Sequence, residues 1–272
     1  MSEIRSILLH LDATAGSTAR LALAHALADR HDARVTALFG VRADPAQASF
    51  AYSAGAALQA AEELAAAAEI ERERLRARAS EHEQECTWCD VVGDSLLHGF
   101  VAESAYADLL VLGAPAREGG GPPPGFVESV ILQSATPAIV VPHPHRQETI
   151  GERVLIAWNG SPQAARALKA ALPLLRRAAQ VHLASWARQP PGAPFSGVDA
   201  RWWLERHDID ARVHRRDPAS HVDEALRALA SELAADLVVM GSYGRSRIRE
   251  QVFGSVTRGL LARLPAPVLM AH

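Results

Sequence analysis

The chain has 272 residues, of which 49% are apolar and 22% charged, so it is long enough for two globular domains. A formal net charge of −3 provides no overall basic field, which argues against nucleic acid and anionic membranes as partners. No apolar run reaches the roughly 18 residues of a membrane helix, and the run near the N-terminus is too short for a signal peptide. We therefore expect a cytoplasmic protein.

The first half of the chain alternates short apolar runs with helical patterns. Continuous apolar runs predict strands that are covered on both faces, and they lie at residues 7–11, 35–39, about 87–92, 109–112 and 138–141. Residues 54–83 are rich in Ala, Glu and Arg, with Leu64, Ala68 and Leu75 near helical spacing. This stretch predicts a long amphipathic helix that packs on the sheet, and a helix that binds a partner protein is the alternative.

Four residues of metal-binding type lie from the end of the long helix to the fourth strand: His82, Cys86, Cys89 and His98. A Cys-x2-Cys pair with flanking histidines is compatible with a zinc site. The segment around both cysteines, however, has the pattern of a strand, and residues three apart on a strand point to opposite faces. Two buried, reduced thiols are therefore the favoured interpretation, and zinc is the alternative.

The second half of the chain repeats the first. The sequence ADLLVLG at residues 107–113 recurs as ADLVVMG at residues 235–241, and a linker rich in Pro and charged residues lies between the copies. We predict two tandem domains, unit one at residues 1–146 and unit two at residues 147–272. Each is expected to be an α/β domain with a doubly wound, Rossmann-like parallel sheet. The predicted strands of unit two lie at residues 154–157, 181–186, about 211–214, 237–240 and 268–271.

Parallel sheets of this kind bind ligands beyond the carboxyl ends of their strands. Asp12 and Gly113 follow predicted strands of unit one, and Asn159 and Gly241 follow the corresponding strands of unit two. We therefore expect these four residues at the ligand-binding edge of the two sheets.

A glycine-rich loop follows the fourth strand of unit two, in the sequence MGSYGRSRIREQVFGSVTRGLL. Successive backbone N–H groups in such a loop form a concavity for anions, and the helix predicted after Gly254 adds free N–H groups and a positive dipole end. The hydroxyl of Ser255 or Thr257 can donate to the same anion, and Arg245 adds positive charge. The loop thus predicts a phosphate site, although three glycines alone are also compatible with simple turns.

The spacing G-x2-G-x9-G-[ST] in a duplicated unit resembles the universal stress protein family. In the nucleotide-binding members of that family, this loop holds the phosphates and ribose of ATP. The resemblance implies that unit two binds ATP or ADP, with Mg²⁺ as an accompanying ion. It implies adenine contacts from Asn159 and Trp186, and phosphate or ribose contacts from Met240, Gly241, Gly244, Gly254, Ser255 and Val256.

The same resemblance implies a strand order of 3-2-1-4-5 in each unit and association through the last strand. Within one chain, such association pairs residues 138–141 with residues 268–271. A homodimer is a further expectation.

Three positions depart from the pattern of the family. Asn159 stands where the family usually has an acid, so hydrogen bonding is kept and the charge is lost. Trp186 is larger than the usual aliphatic residue, and it either stacks on adenine or fills its place. Unit one keeps the acid, Asp12, but Pro124 falls opposite Gly254 and has no N–H to offer a phosphate. We therefore expect one nucleotide per chain, with Asp12 capping the helix that follows it.

The loop of unit two contains one acid, Glu250, and no lysine, so it lacks the groups of a fast phosphoryl-transfer site. We predict no catalytic residues and at most slow ATP hydrolysis. The predicted function is a nucleotide-binding module of the stress response. The alternatives are a nucleotide-free scaffold of the same fold and a weak ATPase.

Overall fold

The computed structural model describes residues 3–40, 54–83, 85–91, 96–115, 121–147, 149–186, 199–217, 220–242 and 255–272. The elements of unit one are β1 (Ser6–Leu11), α1 (Gly16–His31), β2 (Arg34–Phe39), α2 (Ala54–Ser80), β3 (Cys86–Asp90), α3 (Leu96–Ser104), β4 (Leu109–Gly113), α4 (Phe126–Gln133) and β5 (Ala138–Val141). Those of unit two are β6 (Arg153–Ala157), α5 (Pro162–Ala170), α6 (Leu172–Leu175), β7 (Gln180–Ser185), α7 (Ala200–Glu205), β8 (Ala211–Arg215), α8 (Val222–Glu232), β9 (Leu237–Gly241), α9 (Ser255–Ala262) and β10 (Val268–Ala271).

The ten strands of the described residues form one sheet, in the order β3-β2-β1-β4-β5-β10-β9-β6-β7-β8. Neighbouring strands within each unit are parallel, which gives both units the predicted order 3-2-1-4-5. β5 and β10 are antiparallel, with Val268 opposite Val140 and Leu269 opposite Ile139. The predicted α/β fold is confirmed, and the two units join through their last strands within one chain.

Apolar side chains cover both faces of this sheet. One core cluster, on the face that carries α1 and α5, contains Leu9 of unit one and Leu269 of unit two. The cluster on the opposite face, beneath α4 and α9, contains Leu110 of unit one and Val268 of unit two. Each core therefore continues across the β5–β10 junction, and burial on both faces accounts for the continuous apolar runs of the inner strands, whereas the edge strands β3 and β8 are partly exposed.

A charged contact also joins the units near the linker. The guanidinium of Arg30, at the end of α1, donates hydrogen bonds to the carbonyl oxygens of Ile150 (3.0 Å) and Arg177 (2.7 Å). Its Nη2 lies 3.0 Å from a carboxylate oxygen of Glu152. Arg30 thus fixes the start of unit two against the first helix of unit one.

The long helix α2 is present, but its apolar stripe is buried only in part. Ala68, Leu75 and Ala79 are buried, whereas Leu64 is 53% exposed, although it lies on the same side of the helix. A helix of 27 residues is about 40 Å long, roughly twice the length of the six-residue strand β2. The N-terminal part of α2 therefore has no sheet beneath it, and the expectation that Leu64 packs there is wrong. No helix in the described ranges has the length and apolarity needed to cross a membrane.

A buried carboxylate organises the start of unit two. Asp236, which is 6% exposed, accepts hydrogen bonds from the backbone N–H groups of Gly151 (2.9 Å), Glu152 (3.0 Å) and Arg153 (3.1 Å). We expect Asp236→Ala to lower the free energy of unfolding by about 3 kcal/mol, because hydrogen bonds to a charged group contribute about 1.5–3 kcal/mol each and water replaces some of them. Urea denaturation at neutral pH measures this loss.

Unit one offers a matched control for that change. Asp108 occupies the repeated position and accepts from the backbone N–H groups of Arg5 (2.9 Å) and Ser6 (3.0 Å), but it is exposed. Asp108→Ala should therefore cost clearly less than Asp236→Ala. Equal losses for the two variants would contradict the role given to burial.

Candidate functional site

Several of the residues predicted to bind nucleotide lie at one edge of unit two. β6 pairs with both β7 and β9, and all three strands are parallel, so their carboxyl ends meet. Asn159 follows β6, Trp186 follows β7, and Met240 and Gly241 end β9. The N–H of Trp158 donates to the carbonyl of Ala184 at 2.8 Å, which ties the chain after β6 to the end of β7.

Asn159 is exposed at this edge and forms a turn before α5. Its Oδ1 accepts a hydrogen bond from the N–H of Ser161 at 3.0 Å, and Gly160 between them has a positive φ of 72°. Ser161 caps α5 by accepting from the N–H of Ala164 at 3.1 Å, and Pro162 follows it in the first turn. The side-chain oxygen of Asn159 is thus used by the turn, and the amide nitrogen is the donor of this side chain.

Trp186 is partly buried and packs against the core on the α8–α9 side of the sheet, where Val256 also lies. Met240 is 6% exposed, with its side chain in that same core. Only the backbone of Met240 can therefore belong to a site beyond the edge. Both interpretations of Trp186, that it stacks on adenine or that it fills the adenine position, stay predictions.

Packing against α5 requires a glycine at position 241, the first glycine of the motif. A Cβ added to Gly241 would lie 2.4 Å from the backbone nitrogen of Ala164 and 2.5 Å from the carbonyl carbon of Gln163. The end of β9 therefore packs directly on the first turn of α5, and no larger residue fits there. After it, the N–H and the hydroxyl of the fully buried Ser242 both donate to the carbonyl of Ala271, at 2.9 and 3.0 Å, so the chain continues along β10.

The helix predicted after the loop begins at Ser255. α9 runs from the carboxyl end of β9 to the start of β10, so its N-terminus lies at the carboxyl edge of the sheet. Thr257 is 3% exposed in the first turn, and α9 packs on α8, where Arg227 donates to the carbonyl of Gly259 at 3.2 Å. Gly244, Arg245 and Gly254 lie outside the described residues.

The corresponding edge of unit one is filled by side chains. Asp12 is 2% exposed, and its Oδ1 lies 2.8 Å from Nη2 of Arg20. The residue that caps α1 is Ala15, with no side-chain hydrogen bond, so the expectation that Asp12 caps this helix is wrong. Asp12 instead accepts from the N–H of Thr14 at 2.9 Å, in a turn that precedes the helix.

The four residues of metal-binding type in unit one do not form one cluster. Cys86 packs against the core on the α1 side, whereas His98 is exposed on α3. His82 lies 3.2 Å from a carboxylate oxygen of Asp29. Burial raises the pKa of both cysteine thiols, which disfavours the thiolate form that zinc requires. Among the described residues no three His, Cys, Asp or Glu side chains are grouped so as to hold a metal ion.

Sequence reasoning missed two pairs of side chains. The first pair is Arg20 and Asp12, for which the sequence carries no clear signal beyond an arginine within the Ala- and Leu-rich pattern that follows Asp12. The second pair is His214 and His182: Nε2 of His214 lies 3.0 Å from Nδ1 of the buried His182. Burial, together with His214, lowers the pKa of His182.

The sequence profile of the Universal stress protein family matches residues 3–142 and, a second time, residues 151–272. The chain belongs to the universal stress protein family. Universal stress protein Slr1230 of Synechocystis is 30% identical over 151 residues, which are 53% of this chain and 49% of that protein. Stress response protein NhaX of Bacillus subtilis is 33% identical over 75 residues, which are 27% of this chain and 43% of that protein. The chain thus aligns with about half or less of the length of these curated relatives.

Two solved structures align with nearly the whole chain. A universal stress protein from Archaeoglobus fulgidus aligns with 98% of this chain and 97% of its own, with a TM-score of 0.68 and 18% identity. A functionally unknown protein from Pseudomonas aeruginosa aligns with 98% of this chain and 92% of its own, with a TM-score of 0.61 and 16% identity. At these identities the likeness establishes a shared tandem fold.

Proposed function

We propose that this universal stress protein binds ATP or ADP, with Mg²⁺, through unit two, as a cytoplasmic module of the stress response. The observation that carries the proposal is the convergence of three features at one sheet edge: the exposed Asn159, the end of β9, and the N-terminus of α9 at Ser255. The glycine spacing between β9 and α9 adds the sequence motif for a phosphate loop.

The phosphates are proposed to lie at the start of α9. The first N–H groups of a helix have no partner within the helix and carry the positive end of its dipole. Gly244, Arg245, Gly254, Ser255 and Thr257 remain proposed contacts, by sequence. Gly241 has a separate role, because its close contact with α5 brings the end of β9 next to the first turn of α5.

The adenine is proposed to lie beyond the ends of β6 and β7, between Asn159 and Trp186. The Oδ1 of Asn159 accepts from Ser161, so its amide nitrogen is the atom proposed to donate to an acceptor on the base. Trp186 offers an aromatic face at the neighbouring strand end.

Binding rather than turnover is proposed, because the loop holds one acid and no lysine. A weak ATPase and a nucleotide-free scaffold are the competing functions. The last strands of the two units pair with each other, so a homodimer is proposed to use another surface.

The test is the nucleotide content and stoichiometry of the full chain. Protein purified without added nucleotide is denatured, and the released small molecules are identified by mass spectrometry. Calorimetric titration with ATP and Mg²⁺ is expected to give about one site per chain. No released nucleotide and no binding heat would favour the scaffold, and two equal sites would contradict the assignment of the site to unit two alone.

Asn159 should affect which base is bound. We expect Asn159→Ala to weaken ATP binding by roughly three- to tenfold, because a neutral hydrogen bond contributes about 0.5–1.5 kcal/mol. The ratio of ATP to GTP affinity should also fall, since the two purines differ in donors and acceptors. Titration of the variant with each nucleotide measures both effects.

Ser255→Ala provides the matched control for this prediction. It should weaken ATP and GTP binding alike, because a phosphate carries no information about the base. If Asn159→Ala lowered both affinities equally and Ser255→Ala changed the ratio, the base and the phosphates would be placed the wrong way round.

A further inference from the structure

A buried arginine lies beside the carboxyl ends of the strands of unit one. Arg20, on the second turn of α1, is only 4% exposed. Its Nε donates to the carbonyl of His10 at 3.2 Å, and its Nη2 donates to Oγ of Ser17 at 2.7 Å and lies 2.8 Å from Oδ1 of Asp12. The guanidinium is thus held by a carboxylate, a hydroxyl and a carbonyl, all of them inside unit one.

The guanidinium lies in the space between the end of β4 and the start of α1. A Cβ added to Gly113 would lie 2.1 Å from Nη1 of Arg20, and one added to Gly16 would lie 3.2 Å from the same atom. Both glycines therefore leave room for this side chain. The junction of β1, β4 and α1 is filled by the guanidinium.

One oxygen of the Asp12 carboxylate beneath it is engaged several times by the chain. Oδ1 of Asp12 also accepts from the N–H and the hydroxyl of Thr14 and lies 2.9 Å from the hydroxyl of Ser17. Burial raises the pKa of Asp12, but the charge of Arg20, assisted by His10 and Thr14, outweighs burial and holds that pKa below its usual value. Asp12 is therefore a carboxylate anion whose counterion, Arg20, belongs to the same unit.

Unit two has different residues at the repeated positions. Asn159 stands in place of Asp12, and Ala167, which also follows eight residues later, stands in place of Arg20. There the glycine that ends β9, Gly241, packs directly on the backbone of α5, with no side chain between them. Asn159 is exposed, whereas Asp12 is buried, so the same edge is accessible in unit two and filled in unit one.

We propose that Arg20 is a built-in guanidinium ligand of Asp12, which occupies the edge of unit one and excludes other ligands from it. The site has the chemistry to take a small planar cation, and in the native chain its own arginine is that cation. That this occupation restricts nucleotide binding to unit two rests on the proposed function. The occupation itself does not.

The first experiment replaces the internal ligand by an external one. Arg20→Ala should lower the melting temperature and create a cavity above Asp12. Ethylguanidinium at low millimolar concentration should then raise the melting temperature of this variant in a saturable way, by on the order of 3 °C, and leave the native chain unchanged. Arg5→Ala removes an arginine that pairs at the surface with Glu3 and Asp32, leaves no cavity, and should show no response.

The double variant Asp12→Asn/Arg20→Ala gives unit one the two residues that unit two has at these positions. It leaves no unpaired carboxylate, so it can be measured even if Arg20→Ala does not fold. It should not respond to ethylguanidinium, because the anion is gone. A folded Arg20→Ala that ignores ethylguanidinium, or a response that persists in the double variant, would overturn the proposal.

Equilibrium dialysis with adenosine tests the consequence for nucleotide binding. Adenosine has no phosphates and so does not need the phosphate-binding glycine motif that unit one lacks. The native chain should bind about one adenosine, and the folded double variant about two. One site in both would overturn the claim that Arg20 excludes ligands from unit one. No binding by the native chain would contradict the proposed function, while the ethylguanidinium experiment would still decide the role of Arg20.

Discussion

Gly244→Val should reduce ATP binding by the full chain at least about a hundredfold, equivalent to roughly 2.8 kcal/mol at 1.4 kcal/mol per tenfold. A phosphate-binding loop needs its backbone close to the ligand, and a β-branched side chain takes that space and resists positive φ. The loss should arise from binding alone, since Gly244 falls in sequence between β9 and α9. Calorimetry with ATP and Mg²⁺ measures it.

A glycine in the equivalent loop of unit one provides the control. Gly119→Val introduces the same side chain between β4 and α4 and should leave ATP affinity unchanged. Thermal melts of both variants should stay close to that of the native chain. Unchanged ATP affinity in a folded Gly244→Val protein would show that the loop does not hold the phosphates.

Acid should destabilise the protein between about pH 6.5 and pH 4, chiefly because of buried histidines. His10 is 1% exposed, its Nε2–H donates to the carbonyl of Gly40 at 3.2 Å, and burial lowers its pKa to about 4, with Arg20 adding to the effect and Asp12 opposing it. His25 and His31 have pKa values lowered to about 4 as well, with burial as the main cause.

The free energy of unfolding depends on pH because the unfolded and folded chains bind different numbers of protons. Below pH 6.5 the unfolded chain protonates these histidines and the folded chain does not, so the free energy of unfolding falls as the pH drops and levels off near pH 4. For His10 alone, a shift of the pKa from 6.5 to about 4 predicts a loss of roughly 2 to 3 kcal/mol in the free energy of unfolding between pH 7.5 and pH 4.5. Urea denaturation at several pH values measures the curve.

His10→Gln should make that curve shallower by about the same amount, because glutamine can still donate to Gly40 and does not titrate. His221→Gln replaces an exposed histidine at the start of α8 and should leave the curve unchanged. A curve of equal steepness in His10→Gln and the native chain would rule out His10 as the source.

The sequence alone predicted the fold because the relevant signals are local. Short apolar runs predicted the described strands to within two residues, from β1 at Ser6–Leu11 to β10 at Val268–Ala271, and in the inner strands burial on both faces leaves a direct mark on composition. The internal repeat gave the two-unit organisation. A helix directly after Gly254 and Ser255 was also predicted, and α9 begins at Ser255, because the residues that begin a helix are neighbours in the chain.

The tertiary structure decided which side chains meet at the two edges. Asp12 was predicted to cap a helix, yet its main partner is Arg20, whose burial depends on the space beside Gly113, far away in sequence. Leu64 lies on the apolar side of α2 by periodicity and is exposed, because the strands beneath that helix are shorter than the helix. Gly241 was predicted from the ligand motif, and the structure gives it a second role against α5. Sequence periodicity reports the face of an element on which a residue lies, but the partner on that face is set by distant parts of the chain, which only the folded arrangement brings together.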